Sequence, residues 1–266
     1  MRARPRPTWD NGGMTLDVAP AVPTADGARA RVIDDWVASL DERELAEAYE
    51  RDGGAVVLPR LLPRALVDEM AAEARVLQPH LVRKHVPFLR KAAAVAHPAI
   101  VEHAPAMHAL HRSPALLAMF ERVTGVSLEH RAPGEIHASA MYAYTEAGDY
   151  MDWHYDECGC APGDSFSTVI GVVDDGSSRL EIETHRDDPT REPLRRSVHT
   201  VPGTFAFFCG TRAYHRVTPL ADGEERITFA FTYIRRGHSP GGIYDVRMKL
   251  GNALVYFGLG QLFGRR

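Results

Sequence analysis

The second half of the chain reads as a succession of short β-strands, and this pattern restricts the fold more than any other feature of the sequence. From residue 135 onward, apolar and β-branched runs alternate with turn-forming Gly, Asp and Pro residues. Strands are predicted over residues 136–144, 150–156, 166–173, 179–184, 197–201, 204–209, 214–218 and 226–235. Such a series fits two packed sheets. We therefore expect a mainly β protein with flanking helices and a double-stranded β-helix (jelly roll, cupin-like) core.

The first half of the chain predicts helices. Apolar residues at helical spacing begin at Val32, a capping box at Asp41 starts a second helix, and Pro63 opens a third. A further helix is capped by Ser113 and stopped by Gly125. These helices are expected to cover one sheet from outside, which leaves the other end of the barrel open for a site.

The segment 79–112 contains six His and four Pro residues. It is predicted to be loop-rich and to form a wall or lid over the active site, with most of its histidines solvated or hydrogen-bonded. The predicted domain organisation is a flexible tail over 1–28, one domain over 29–240 and a C-terminal helical segment over 241–266. Within the domain, 29–125 gives helical support and 135–236 forms the jelly-roll core. The C-terminal segment is expected to pack on the domain, with a dimer contact or a cover over the pocket as alternatives.

Composition limits the partners. A formal charge of −4 over 266 residues argues against an extended nucleic-acid surface. The apolar C-terminal segment is too short and interrupted to span a bilayer. Three cysteines, two of them in Cys158-Gly159-Cys160, make neither a disulfide framework nor a zinc site. With no export signal in the sequence, we expect a cytoplasmic protein, monomeric or homodimeric, that binds a small molecule.

Three residues with metal-ligand chemistry lie in the predicted strands. His154 and Asp156 are two residues apart, so on a β-strand their side chains point to the same face. His215 follows 59 residues after Asp156, in a later predicted strand. Two imidazoles and one carboxylate make up the facial triad that holds Fe(II) and leaves positions open for a chelating co-substrate and O2.

An arginine completes the pattern. Arg226 lies eleven residues beyond His215, in an apolar strand where burial of its charge is unfavourable unless an anion pairs with it. Thr228, two residues further on, faces the same way and offers a hydroxyl.

This order of residues resembles the signature of the Fe(II)- and 2-oxoglutarate-dependent dioxygenases, which is His-x-Asp, then a distal His, then an Arg. Tyr144 and Gly148 ahead of His154 resemble prolyl-hydroxylase-like and phytanoyl-CoA-hydroxylase-like members, and residues 202–208 resemble the strand before the distal His. The resemblance covers roughly residues 50–235. It implies Fe(II), 2-oxoglutarate and O2 as cofactors, with Arg226 paired to the far carboxylate of 2-oxoglutarate.

Further candidates surround these residues. Tyr142 and Tyr144 lie on the strand that enters the site and are candidates, with Thr228, to hydrogen-bond 2-oxoglutarate. Neighbouring strands offer candidates to line the barrel mouth and bind the substrate, namely His137, Phe166 and Arg179. Because the charge pattern shows no macromolecular footprint, we expect an amino-acid-like or other small metabolite as the substrate.

The resemblance implies hydroxylation of that substrate, with release of succinate and CO2. Related halogenases carry Gly or Ala at the position of Asp156, which leaves room for a halide on iron. Asp156 therefore predicts hydroxylation, or another oxygen-dependent C–H oxidation, and not halogenation. Desaturation or oxidative cyclisation on the same scaffold is an alternative. A cupin-like metal-binding protein that does not use 2-oxoglutarate is another, although it has no need of Arg226.

Overall fold

The computed structural model describes residues 25–132, 135–156, 163–237, 250–251 and 253–258. Its α-helices are α1 (Ala25–Ala38), α2 (Glu42–Arg51), α3 (Arg64–Val76), α4 (His97–His103), α5 (Pro105–Arg112) and α6 (Pro114–Thr124), with a 3₁₀ turn at Gln78–His80 and a π-helical turn at Ala253–Phe257. Its strands are β1 (Ala55–Leu58), β2 (Val82–Val86), β3 (Arg90–Ala96), β4 (Leu128–His130), β5 (Ser139–Tyr144), β6 (Tyr150–His154), β7 (Ser165–Asp174), β8 (Leu180–Thr184), β9 (Leu194–Val198), β10 (Phe205–Cys209), β11 (Tyr214–Val217) and β12 (Arg226–Arg235).

The strands pair antiparallel in the order β1-β10-β7-β12-β5-β3-β6-β11-β8-β9, with β2 beside β3 and β4 beside β12. The sheet curls into a nearly closed barrel, which confirms the predicted jelly-roll fold. Its two halves join through a short pairing of β3 with β6. Helices cover the outer face of the β7–β10–β12 half, where Phe120 stacks on Phe207 with ring centroids 3.8 Å apart. The described helices include none that is long and apolar enough to cross a membrane.

Helix ends follow the local sequence. Asp41 accepts a hydrogen bond from the Glu44 amide, and the Ser113 hydroxyl accepts one from Leu116, as the capping patterns predict. Gly125 ends α6 with a left-handed φ of +67°. Helix α1 begins at Ala25, a few residues earlier than expected, so the last residues of the predicted tail are helical. The rest of that tail, and Cys158-Gly159-Cys160, lie outside the described residues.

The prediction that the segment 79–112 is loop-rich is wrong. This segment forms the β2–β3 hairpin followed by α4 and α5, and β3 lies inside the barrel wall between β5 and β6. Residues 92–96 of β3, Ala-Ala-Ala-Val-Ala, are all buried. A strand buried on both faces shows no apolar–polar alternation, and alanine has little β-propensity, so the sequence gives no signal for it.

Four histidines of this region and β4 cluster between the helices and β12. His111 lies 5.5 Å from His97 and 5.3 Å from His130, and His97 lies 6.1 Å from His108, measured between ring centroids. Neither nitrogen of His111 has a hydrogen-bond partner in the described chain. Burial lowers the pKa of His97 and His130 to about 4, lowers that of His108, and holds that of His111 well below its ordinary value. The cluster is therefore neutral at neutral pH.

This cluster predicts a loss of stability in mild acid. As the pH falls from about 6.5 towards 4, these histidines become protonated in the unfolded chain but stay neutral in the folded chain. Because the unfolded state then binds more protons, the free energy of unfolding decreases. His111→Leu should reduce this pH dependence, measured as the melting temperature between pH 7.5 and 4.5. The same substitution at the exposed His85 is the control and should leave the wild-type slope. An unchanged slope in His111→Leu would contradict the assignment.

Candidate active site

A cavity of about 540 Å³ opens inside the barrel, between its two halves. This volume lies within the range of small-molecule sites. Strand β12 contributes every second residue to it from Arg226 to Thr232, and β6, β7 and β11 contribute the residues around the predicted metal ligands.

His154, Asp156 and His215 come together at this cavity. The Nε2 atoms of His154 and His215 lie 3.7 and 3.6 Å from Asp156 Oδ1, and the three donor atoms all lie within 4.8 Å of one another. Each Nδ1 lies near a backbone carbonyl, that of Asp152 at 2.7 Å and that of Ala213 at 3.0 Å. These carbonyls can only accept, so each Nδ1 carries the proton and each Nε2 keeps its lone pair for a metal.

The charge states suit metal binding. Burial, and then the neighbouring His215, lower the pKa of His154 to about 4, so this imidazole is neutral at pH 7. Burial alone favours the protonated acid at Asp156, but His215, His154 and the Ser167 hydroxyl outweigh it and lower the pKa of that carboxyl. Neutral imidazole and ionised carboxylate are the forms that coordinate a cation.

A β-bulge orients His154. His154 pairs with His215 and Met151 with Val217, so two residues of β6 oppose one of β11 between these pairs. The extra residue lets Met151 and His154, three apart, both line the cavity.

The prediction that Asp156 lies on the same strand as His154 is wrong, because β6 ends at His154. Its amide donates to the Gly210 carbonyl at 2.9 Å, and its Oδ2 accepts a hydrogen bond from the Ser167 hydroxyl. A Cβ at Gly210 would lie 2.8 Å from both Asp156 Cβ and Ser167 Oγ. Glycine at 210 therefore permits the approach that fixes the carboxylate.

Arg226 lies fully buried at the start of β12 and lines the cavity. Its Nε donates to Thr200 Oγ1 at 2.8 Å and lies 3.9 Å from an oxygen of Asp174. Neither Nη atom has a hydrogen-bond partner in the described chain. Burial lowers the pKa of Arg226, and Tyr144 and Asp174 oppose that effect. Two donors of a buried cation are thus left for a ligand.

Close packing brings Thr200 to this arginine. A Cβ at Gly171 would lie 2.1 Å from the Thr200 carbonyl oxygen, so only glycine allows the loop to approach β7 here. The ladder then places Tyr144 opposite Arg226 and Tyr142 opposite Thr228, and all four residues line the cavity. Tyr142 Oη lies 2.5 Å from Nε2 of His137, which lines the cavity as predicted.

Two predicted substrate residues lie elsewhere. Phe166 is not at the cavity; it is 1 % exposed and packs against Phe207 in the core beneath the helices. Its neighbour Ser167 faces the metal ligands instead. Arg179 folds back on its own turn, where Nη1 donates to the carbonyls of 176, 177 and 178. It does not reach the cavity.

Other lining residues were not predicted. Arg131 enters the cavity wall from the loop after β4, and Trp153, Tyr155 and Tyr214 form an aromatic rim. The rim residues could have been predicted only because each one is next to a candidate metal ligand in the sequence. Nothing in the sequence separates Arg131 from other arginines.

Part of the C-terminal segment also covers the cavity. Gly251, Val255 and Tyr256 line it, and the fully buried Arg90 holds them, with Cζ 4.6 Å from the Tyr256 ring centroid. The described part of this segment therefore packs on the domain and closes one side of the pocket. The remainder of the predicted helical segment lies outside the described residues.

Comparisons with known proteins place the fold. A protein-family model for halogenase D matches residues 37–161, a little under half of the chain. No curated protein matches the chain in sequence.

Solved structures resemble it over most of its length. SnoN, a non-heme α-ketoglutarate-dependent epimerase of nogalamycin biosynthesis, is 21% identical, with a TM-score of 0.59 over 73% of this chain and 82% of SnoN. The carbocyclase SnoK of the same biosynthesis is 18% identical, with a TM-score of 0.57 over 75% and 85%. A Pseudomonas putida prolyl-4-hydroxylase is 18% identical, with a TM-score of 0.51 over 73% and 98%.

These neighbours are 2-oxoglutarate- and iron-dependent oxygenases, the family that the sequence motif indicated. SnoN has been solved with Fe3+, α-ketoglutarate and a nogalamycin compound. At these identities the likeness shows that the chain has the fold of these oxygenases. Its own chemistry has to be argued from its residues.

The hydrogen bond from the Ser167 hydroxyl to Asp156 is predicted to strengthen metal binding. Alanine at His154, Asp156 or His215 should abolish tight Mn(II) binding, measured by calorimetry, while the fold is kept. Ser167→Ala frees the carboxylate to rotate and should weaken binding by about 10–100-fold. Thr168→Val is the control, because the Thr168 hydroxyl has no partner in the described chain. Equal affinity in Ser167→Ala and Thr168→Val would contradict this role.

Proposed function

We propose that the protein is an Fe(II)- and 2-oxoglutarate-dependent oxygenase that hydroxylates a small metabolite and releases succinate and CO2. One observation carries the proposal: a donor set of two His and one Asp shares a cavity with a buried arginine that keeps two unpartnered donors in the described chain. The donor set fits Fe(II). The arginine fits the distal carboxylate of a dicarboxylic co-substrate.

The residues divide the work of holding the two groups. His154, Asp156 and His215 would hold Fe(II), and their single negative charge leaves the site with a net positive charge that favours an anionic co-substrate. Fe(II) with 2-oxoglutarate supplies oxidation by O2, in which the keto acid loses CO2 and a C–H bond of the substrate is oxidised. The hydrogen bond from Nδ1 of each His to a backbone carbonyl keeps its Nε2 directed to the metal.

Arg226 would orient the co-substrate. Its Nε is fixed by Thr200, which itself donates to Asp174 at 3.0 Å, so the guanidinium plane is set before a ligand arrives. Thr228 stands two residues along the same strand and adds a hydroxyl. Apolar side chains of Met151, Leu180 and Val217 line the cavity nearby and exclude water. In this low-dielectric setting a charge-assisted bidentate contact is strong.

Asp156 supports oxygenation over halogenation. The match to halogenase D covers the chain up to residue 161, so it includes His154 and Asp156. A halide needs a vacant metal position where this carboxylate stands. Here Asp156 is ionised, hydrogen-bonded by Ser167 and held through its backbone by Gly210. These contacts hold the carboxylate in the position that a halide would need.

A second outcome is favoured by the neighbours. SnoN is an epimerase and SnoK a carbocyclase, and both share this fold. Desaturation, ring closure or epimerisation uses the same ligands and differs in how the substrate lies. Mass spectrometry of the product distinguishes them, because hydroxylation adds one oxygen whereas desaturation or ring closure removes two hydrogens and epimerisation leaves the mass unchanged.

Loss of the Arg226 guanidinium should weaken the binding of 2-oxoglutarate. Removing one partner of a desolvated charge pair costs about 2–5 kcal/mol, so Arg226→Gln should raise the dissociation constant of 2-oxoglutarate at least tenfold. The measurement is a titration of the visible charge-transfer band with Fe(II) under anaerobic conditions. Arg179→Gln is the matched control, since Arg179 lies outside the cavity. If Arg179→Gln weakens binding and Arg226→Gln does not, the distal carboxylate is held elsewhere.

Chloride provides a test of the reaction type. In wild type, excess chloride should leave the anaerobic Fe(II)–2-oxoglutarate band unchanged, because Asp156 fills the coordination position. In Asp156→Gly, which lacks this ligand and should bind the metal weakly, chloride but not sulfate should restore part of the band. With the first accepted substrate, mass spectrometry in excess chloride or bromide should detect no halogenated product from wild type. A chloride-dependent band or a halogenated product from the unmodified protein would overturn this proposal.

A further inference from the structure

We propose that Arg131 is the anion anchor for the substrate, and that the substrate is therefore a small molecule that carries a carboxylate. The inference rests on the proposed function, in which Arg226 holds 2-oxoglutarate. It adds a substrate class and a specificity-determining residue to that function.

Two arginines line the same cavity at opposite ends of β12. Arg226 is the first residue of the strand, and Arg131 donates from Nε to Thr232 Oγ1 at 2.5 Å near the other end. Thr232 lies six positions beyond Arg226 on the strand, which is about 20 Å at about 3.3 Å per residue. One small dicarboxylate held by the metal and Arg226 leaves the Arg131 end of the cavity to another molecule.

The side-chain hydrogen bonds of Arg131 go to neutral groups and leave its charge unneutralised by direct contact. Nε donates to Thr232, and Nη2 lies 3.5 Å from Ser165 Oγ, and both partners are neutral hydroxyls. Arg131 forms no ion pair with a carboxylate in the described chain. Burial lowers the pKa of Arg131, and the negative charges of Glu135 and Asp156 oppose that effect. A guanidinium fixed in place by two hydroxyls, and open to the cavity, is suited to bind an anion.

The position of Arg131 directs the bound molecule to the metal site. Thr232 lies directly opposite Ser167 in the β7–β12 ladder, and the hydroxyl of Ser167 holds Asp156. A carboxylate on Arg131 thus lies on the Asp156 side of the metal ligands. Between the Arg226 end and the Thr232 end of β12, the cavity wall is formed by Ala140, Val169 and Ala230, which are small and apolar. This surface suits a short aliphatic body whose C–H bonds face the metal.

A different role for Arg131 is support of Asp156 by its charge. The geometry favours the substrate role, because Asp156 Oδ2 is already held by Ser167 and no ion pair joins Arg131 to Asp156. The two roles differ in what a substitution changes. A support residue alters metal affinity, whereas a substrate anchor alters the binding of a second ligand alone.

The test uses protein loaded with Mn(II) and 2-oxoglutarate, so that Arg226 is occupied and no turnover occurs. The probes are linear aliphatic acids from acetate to octanoate and the common L-amino acids, each beside its amide. Calorimetry and the fluorescence of Trp153, which lines the cavity, report binding. Wild type should bind at least one acid and bind its amide at least tenfold more weakly.

The variants distinguish the sites. Arg131→Gln should lose at least tenfold in affinity for that acid and keep its Mn(II) and 2-oxoglutarate affinities, and Arg131→Lys should lose less. Arg226→Gln should show the reverse pattern, with 2-oxoglutarate weakened and acid binding kept at saturating 2-oxoglutarate. Arg179→Gln is the control and should match wild type.

Failure of the inference is distinct from failure of the proposed function. No binding of any acid, equal binding of acids and amides, or unchanged acid affinity in Arg131→Gln would each refute the anchor. So would a loss of Mn(II) affinity in Arg131→Gln as large as its loss of acid affinity. None of these results bears on 2-oxoglutarate binding at Arg226, which is measured in the same protein.

Discussion

The register of β12 between β5 and β7 is the constraint on which the site depends. Side chains of a strand alternate between two faces, so Arg226, Thr228, Ala230 and Thr232 all line the cavity. Ile227, Phe229 and Tyr233 belong to the core under the helices. A slip of one residue would turn these three apolar side chains towards the cavity and push the arginine into the core. The apolar packing on one face therefore fixes the chemistry on the other.

Glycine has a similar effect at two places where backbones approach closely. Gly171 admits the loop that brings Thr200 to Arg226, and Gly210 admits Asp156 beside Ser167. Neither glycine lines the cavity. Each glycine leaves space that lets a neighbouring segment approach, and this approach sets the position of a charged group. Residues that carry no polar group thus help to build the site.

The sequence predicts the parts of this protein that have a local signal. Turn residues and alternation gave the strands of the second half, and β12 was predicted with its observed bounds. The candidate metal ligands and Arg226 could be singled out in the sequence because their spacing has chemical meaning, and the structure brings all four to one cavity. Strand β3 was missed because five buried small residues show no alternation. Phe166 was placed wrongly for a related reason: β7 is buried on both faces, so polarity does not tell which residue faces the cavity. Arg131 lies outside regular structure, and only the tertiary fold gives it a role.

The pairing of β1 with β10 bears on how the chain reaches its fold. Ala55 pairs with Phe208, 153 residues later (208 − 55), and His130 pairs with Tyr233 across 103 residues (233 − 130). Closing such long loops before their contacts form makes a β topology slow to fold, on the order of milliseconds to seconds. In the described chain β1 pairs with β10 alone, so during synthesis it has no partner strand until β10 has emerged. His215 lies on β11, after β10 in the chain, so a metal ion held by all three candidate ligands would stabilise a barrel that has already been assembled.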